Sequence, residues 1–137
     1  MTDHVDRRTR SAIMAAVGSK DTEPELKLRK MLHALGYRYR LHDARLPGKP
    51  DIVFARRRAA VFVNGCFWHR HEGCRYATTP KTDTDFWQSK FEANRARDKR
   101  NIATLKRLGW RVAVVWQCQL KSPQKVLSRV VRFLDRE

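Results

Sequence analysis

Apolar positions along the chain recur with two periods, three to four residues in some stretches and two in others, and the switches between them mark the elements. A short helix is expected at about Thr9–Val17, stopped by Gly18. A second runs from about Glu23 to Leu35, with Leu28, Met31, Leu32 and Leu35 on one face. Thr22 and Glu25 fit a capping box, Pro24 sits in the first turn and Gly36 supplies the stop. Tyr37–Leu41 alternates as a strand does, and Leu46-Pro47-Gly48-Lys49-Pro50 interrupts it as a loop. Asp51–Ala55 and Ala59–Val63 read as two strands joined by the basic turn Arg56-Arg57-Arg58. From Asn64 to about Asp83 no period is visible, and a loop is expected. A long helix follows, about Asp85 to Leu108, with Thr84 as its cap and Gly109 as its stop. Trp110–Trp116 is a strongly apolar strand. Ser122-Pro123 opens a last helix whose face is Val126, Leu127, Val130, Val131 and Leu134.

The order α-α-β-β-β-α-β-α predicts an α/β sandwich around a mixed sheet. It matches the αβββαβ core of restriction-endonuclease-like nucleases, although a fold alone does not assign chemistry. At 137 residues, with no repeat and no linker, the expectation is one domain spanning 1–137.

Charge changes the picture more than size does. The formal net charge is +16, with Lys and Arg spread along the chain. Such a surface draws polyanions, which makes nucleic acid the leading partner. No apolar run approaches the roughly 18 residues of a spanning helix, so no membrane role is expected. The first ten residues are polar and charged, without the apolar stretch of a secretory signal, and a cytoplasmic, nucleoid-associated protein is expected. Three cysteines in such a chain disfavour a disulfide framework and favour metal binding or inert burial.

The densest chemical signal is Gly65-Cys66-Phe67-Trp68-His69-Arg70-His71-Glu72-Gly73-Cys74, with Cys118 after the last strand. Three thiolates and one imidazole form a closed tetrahedral set for structural zinc, and spacing leaves His69 and His71 competing for the fourth position. Pro50-Asp51 leads one of two adjacent strands, a placement from which a carboxylate holds Mg²⁺ beside a phosphate. The Asp/Glu-x-Lys half of that signature is missing, because the second strand ends Val63-Asn64-Gly65. Phe67-Trp68 and Phe86-Trp87 are adjacent ring pairs that one core face does not easily absorb. Such rings either cover the zinc site or wedge between base pairs. Asn94-Arg95-Ala96-Arg97-Asp98-Lys99-Arg100 reads as a solvated helix face or a phosphate-contacting one.

Together these residues resemble the very-short-patch repair endonucleases. The resemblance runs through Asp21-Thr22 with Glu25, Leu46-Pro47-Gly48-Lys49-Pro50-Asp51, Gly65-Cys66-Phe67-Trp68-His69, Phe86-Trp87, Arg97-Asp98, and Leu108-Gly109-Trp110-Arg111-Val112 leading to Val115-Trp116-Gln117-Cys118. It implies an endonuclease that nicks double-stranded DNA 5′ of the thymine in T·G mismatches left by deamination of 5-methylcytosine. By that resemblance Asp51 and the Val63 carbonyl hold Mg²⁺, and His69 is the general base, oriented by Asp98. Cys66, His71, Cys74 and Cys118 hold Zn²⁺. Phe67, Trp68 and Trp87 form a wedge on the major-groove side. Met14, in an N-terminal arm of residues 1–20, enters the minor groove. Lys90 and Asn94 fall where the mismatch is recognised. A MutL-like repair protein is a candidate partner, and a monomer is expected.

Two departures stand out. Asn64 occupies the place where a second active-site histidine is common in the family, which weakens the role expected for its usual neighbour, Glu25. Val63 replaces a polar residue, which a backbone ligand tolerates. Two other readings fit the residues: a restriction-like nuclease of different specificity, and a non-catalytic, zinc-stapled DNA-binding module.

Overall fold

The computed structural model describes residues 23–66, 69–74, 77–78 and 81–136. The helix expected at Thr9–Val17, the capping residue Thr22, Met14, Phe67 and Trp68 lie outside the described residues.

Helix α1 (Glu23–Ala34) carries two acidic residues in its first turn, where they favour the positive end of the helix dipole. Leu28 and Leu32 are fully buried, and Met31 packs beside them. Leu35, expected on the same face, is 56% exposed. The helix has already ended at Ala34, and the turn through Gly36 (φ +96°) swings residue 35 outward.

Strand β1 is only Arg40–Leu41, shorter than Tyr37–Leu41. Its partner β2 is Ile52–Phe54, paired as Arg40 with Val53 and Leu41 with Ile52. Beyond Phe54 the chain turns into a 3₁₀ segment, Ala55–Arg57, closed by Arg58 in the left-handed region (φ 48°). Tyr37 and Tyr39 instead pack edge-on against Phe54.

Strand β3 (Ala59–Asn64) runs antiparallel to β2 and parallel to β4 (Arg111–Trp116). The sheet order is β1-β2-β3-β4. The parallel pair needs a long crossover. This one consists of the Cys/His loop and helix α2 (Thr84–Arg107), which begins one residue earlier than expected, with Asp83 rather than Thr84 at the cap position. A second 3₁₀ turn, Gln117–Lys121, leads to α3 (Pro123–Asp135), with Pro123 in its first turn as anticipated.

Side-chain alternation assigns the two faces of the sheet. Ile52, Phe54, Ala59, Val61 and Val115 meet Leu28 and Leu32 of α1 and Val126, Val130 and Leu134 of α3 in one buried cluster. Val53 and Ala60 point the other way and are equally buried. Phe62 and Asn64 share that second face, and they line a cleft with Asp98, Asn101 and Ile102 of α2. The result is the expected α/β sandwich with a mixed sheet of restriction-endonuclease-like architecture. Among the described residues no helix is long and apolar enough to cross a membrane.

Candidate active site and metal centre

The cleft has a volume of about 190 Å³ and opens at the end of the sheet where β2 begins and β3 finishes. Asp51 reaches it from the residue just before β2. The preceding loop is anchored by Asp43, whose carboxylate accepts from the Arg45 backbone N–H and guanidinium, at 3.0 Å in each case. Those bonds hold the Asp43 carboxyl below its ordinary range. Gly48 (φ +77°) then passes so close to α2 that an added Cβ would lie 3.0 Å from Asn101 Cβ. Its backbone angle and this close approach both favour glycine.

Asp51 Oδ2 accepts the Val63 backbone N–H at 2.7 Å, tying the carboxylate to the neighbouring strand. Burial pushes this carboxyl up to about 7; the Val63 N–H opposes the shift, the Glu25 carboxylate adds to it, and His42 opposes it. Asp51 thus meets Val63 through the amide N–H of that residue, not through the carbonyl expected to bind Mg²⁺.

Across the cleft, His69 Nδ1 lies 2.6 Å from Asp98 Oδ2. A carboxylate can only accept, so Nδ1–H donates and Nε2 is left as the basic nitrogen. His69 is seated by a bond from its backbone N–H to the Gly65 carbonyl, at 3.1 Å. Both side chains keep about 30% exposure (31% and 28%), enough to meet a substrate. Asp98 thus turns inward from the basic run on α2, while Arg95, Arg97, Lys99 and Arg100 stay exposed.

Glu25 corrects an expectation. The residue is 1% exposed and adjoins this constellation: Arg29 donates to Oε2 at 2.8 Å, and His42 Nε2 lies 3.1 Å from the same oxygen. The missing histidine at 64 does not leave Glu25 without an imidazole, because His42 is there. His42 Nδ1 in turn lies 3.6 Å from Asp51 Oδ1. Sequence reasoning passed over His42, a single histidine after a two-residue strand with no motif around it. Only the β1–β2 pairing, extended by a bond from the His42 N–H to the Asp51 carbonyl at 3.1 Å, places it here. Glu25, His42 and Asp51 offer donor atoms within 4.8 Å of one another, close enough to surround one metal ion. Asn64 is buried and also lines the cleft.

The second cluster sits on the Cys/His loop. Cys66, His71, Cys74 and Cys118 offer donor atoms within 4.8 Å of one another, and His71 rather than His69 is the nitrogen among them. His71 Nδ1 is 3.7 Å from Cys66 Sγ and 3.3 Å from Cys118 Sγ. A tetrahedral centre with metal–sulfur bonds near 2.3 Å and metal–nitrogen bonds near 2.0–2.1 Å has S···N edges of about 3.5 Å, so the donors fit such an ion. The Cys118 backbone N–H approaches Cys66 Sγ at 3.4 Å, and the His71 ring stacks on Trp116 at 4.4 Å. Burial pushes the Cys66 thiol up to about 12, so a thiolate there needs a cation beside it. Arg70 clasps the loop by donating to the carbonyls of Ala77 and Thr78, each at 2.9 Å, with its guanidinium 4.0 Å above the Phe91 ring.

The residues expected at the DNA surface divide. Lys90 and Asn94 are half-exposed on α2; the Lys90 ammonium lies 5.8 Å over the Phe86 ring, and Asn94 accepts from Arg97. Trp87 is 2% exposed and stacks on Phe91 at 6.0 Å. In this conformation it is a packing residue, because helical spacing carries 87 and 91 onto the buried face of α2, and it offers no ring to DNA.

A half-buried carboxylate at a strand end, a carboxylate-oriented imidazole facing it and a thiol-rich cluster able to hold a metal on the adjoining loop are the site of a nuclease of the restriction-endonuclease-like class. The family model for the DNA mismatch endonuclease Vsr matches residues 2–75. The DNA mismatch endonuclease Vsr of Escherichia coli is 43% identical over 131 residues, covering 96% of this chain and 83% of its own. The type II nicking enzyme V.XorIIP of Xanthomonas oryzae is 52% identical over 135 residues, 98% of each chain, and V.NmeAIP of Neisseria meningitidis is 43% identical over 96% of each. The chain belongs to the Vsr family of DNA mismatch endonucleases.

Proposed function

We propose that this chain nicks one strand of double-stranded DNA 5′ of the thymine in a T·G mismatch, using Mg²⁺ at Asp51 and a structural Zn²⁺ at Cys66, His71, Cys74 and Cys118. The observation that carries the proposal is the pairing of His69 with Asp98 at 2.6 Å, across one cleft from half-buried Asp51. Nicking is the activity in the names of the V.XorIIP and V.NmeAIP relatives, and mismatch cleavage that in the name of the Escherichia coli one.

The chemistry is hydrolysis of a phosphodiester. Water forms a bond to phosphorus, one ester P–O bond breaks, and the leaving oxygen is protonated. His69 takes the water proton at Nε2, and Asp98 holds the tautomer that allows it and stabilises the imidazolium that forms. A Mg²⁺ held by Asp51 and the Val63 carbonyl would supply charge stabilisation at the phosphate. Glu25 braces His42, which lines the cleft. The zinc would staple the loop that carries His69, which sits between two of its ligands.

Recognition draws on residues that include several outside those described. Phe67 and Trp68, with Met14 of the arm at residues 1–20, would open the step at the mismatch. Trp87 would join them only after leaving its buried position, and Lys90 and Asn94 would read the mismatched pair. A wobble pair costs less to unstack than a paired step, so intercalation itself discriminates. The whole chain acts as one domain and as a monomer in the bacterial cytoplasm, with a MutL-like protein as its repair partner. The test is cleavage of T·G, T·C and fully paired duplexes with and without Mg²⁺. Nicking restricted to T·G with the ion supports the proposal. Equal cleavage of paired DNA would assign another specificity, and no cleavage of any duplex would leave a DNA-binding module.

A further inference from the structure

We infer that His42 is itself a ligand of the cation held at Asp51, binding through Nδ1 while Glu25 holds its Nε2–H, so that the site is a mixed nitrogen–oxygen one. The inference rests on the reading of Asp51 as a cation ligand. Three observations carry it. His42 Nε2 is 3.1 Å from Glu25 Oε2, a hydrogen-bond distance, and a carboxylate on that side selects the tautomer with Nδ1 unprotonated. Nδ1 then faces Asp51 Oδ1 at 3.6 Å, too long for a good hydrogen bond but a gap that an ion about 2.1 Å from each atom can span. Finally, Glu25 is itself fixed by Arg29 at 2.8 Å, which makes it a rigid outer partner rather than a mobile one.

A ligating histidine that gives its other N–H to a carboxylate is the usual arrangement around bound metals, and it fixes both tautomer and ring orientation. Here the chain Arg29–Glu25–His42–Asp51 supplies it, with the imidazole at the mouth of the same cleft. The chemical consequence concerns which ion is preferred. Mg²⁺ takes oxygen donors and dehydrates reluctantly, whereas an imidazole donor suits first-row transition ions. The site should therefore bind Mn²⁺ with help from His42 that Mg²⁺ does not receive.

The experiment uses the full chain labelled with ¹⁵N-histidine and loaded with Mn²⁺. Pulsed electron paramagnetic resonance should detect a directly bound imidazole nitrogen in the unsubstituted protein, and His42→Gln should remove that coupling. Calorimetry should show Mn²⁺ affinity falling about 10-fold or more in His42→Gln, and Mg²⁺ affinity by less than about 3-fold. Absence of nitrogen coupling in the unsubstituted protein overturns the inference without any variant having to fold. A coupling that survives His42→Gln overturns it too, since it then belongs to another imidazole. Mn²⁺ that binds without nitrogen coupling but is lost in Asp51→Asn removes His42 alone. Mn²⁺ that binds undiminished to Asp51→Asn removes Asp51 and His42 together.

Discussion

The cleft and the Cys/His cluster lie at the same end of the sheet and are built in opposite ways. The cluster draws three of its four donors from nine consecutive positions and uses sulfur and nitrogen alone. The cleft gathers His42 after β1, Asp51 before β2, His69 from the loop and Asp98 from α2, with Glu25 of α1 behind His42. Its donors are mostly oxygen, and it opens to solvent. A closed set of soft donors can hold an ion permanently and leaves no position for substrate. An open set of carboxylates and imidazoles leaves room for a phosphate and for water. The difference separates stability from chemistry: damage to one region should unfold the protein, and damage to the other should silence it.

The largest effect is expected at the cluster. Cys118→Ala removes a ligand from the element after β4 and should cost more than about 4 kcal/mol, the range reached when a structural metal is lost. Thermal denaturation and metal analysis check this together, and a metal-free variant that melts normally would contradict it. In the cleft, Asp51→Asn and His69→Ala should keep the fold, as judged by circular dichroism, while nicking falls. The His69→Ala loss should be about 10²–10⁴-fold, the usual contribution of a positioned general base. Unfolding of either variant would erase the contrast between the regions.

Glu25 sharpens the contrast, because it is fully buried yet acts on the cleft through His42. Glu25→Gln should lower cation affinity or activity about 10–100-fold, as loss of an outer-shell carboxylate does. Full activity in Glu25→Gln would return Glu25 to a helix-capping role. A smaller effect concerns pH. Burial holds Asp51 protonated in the folded, cation-free protein up to about pH 7, whereas it ionises near 4 when unfolded. Unfolding thus releases a proton between these values, so cation-free stability should fall as pH rises from about 4 to 7. Denaturant titrations across that window should show the slope, and Asp51→Asn or added Mg²⁺ should flatten it. A slope unchanged by Asp51→Asn would mean that another group is responsible.

The two regions also differed in how far the residues disclosed them. Cysteine and histidine spacing marked the cluster, the resemblance chose His71 over His69, and His71 is the imidazole that lies among the three thiols. Helix and strand order were readable because α3 and β3 bury what their periodicity says they should. Asp51, His69 and Asp98 were identified by resemblance, and the structure brings them to one cleft. His42 was invisible for a physical reason: it reaches the cleft through pairing of a two-residue strand, and no local pattern encodes that contact. Glu25 was undervalued for the same reason, since its partner lies 17 positions away in sequence. The packing of Trp87 was not read from the sequence either. Adjacent aromatic rings suggested a surface wedge, but the four-residue step to Phe91 defines a buried face. Trp87→Ala should accordingly cost about 3–5 kcal/mol of stability, as large aromatic truncations in cores do.

The proposed function makes the cleft a cation-dependent one that cuts one strand at a T·G mismatch. The most direct measurement is strand-resolved cleavage of three otherwise identical duplexes carrying T·G, T·C or a normal pair, each with Mg²⁺ and with chelator. A single nick 5′ of the thymine, in the T·G duplex and only with the ion, is the predicted result. Equal nicking of the paired duplex, or nicking that persists in chelator with Asp51 replaced by Asn, would contradict it.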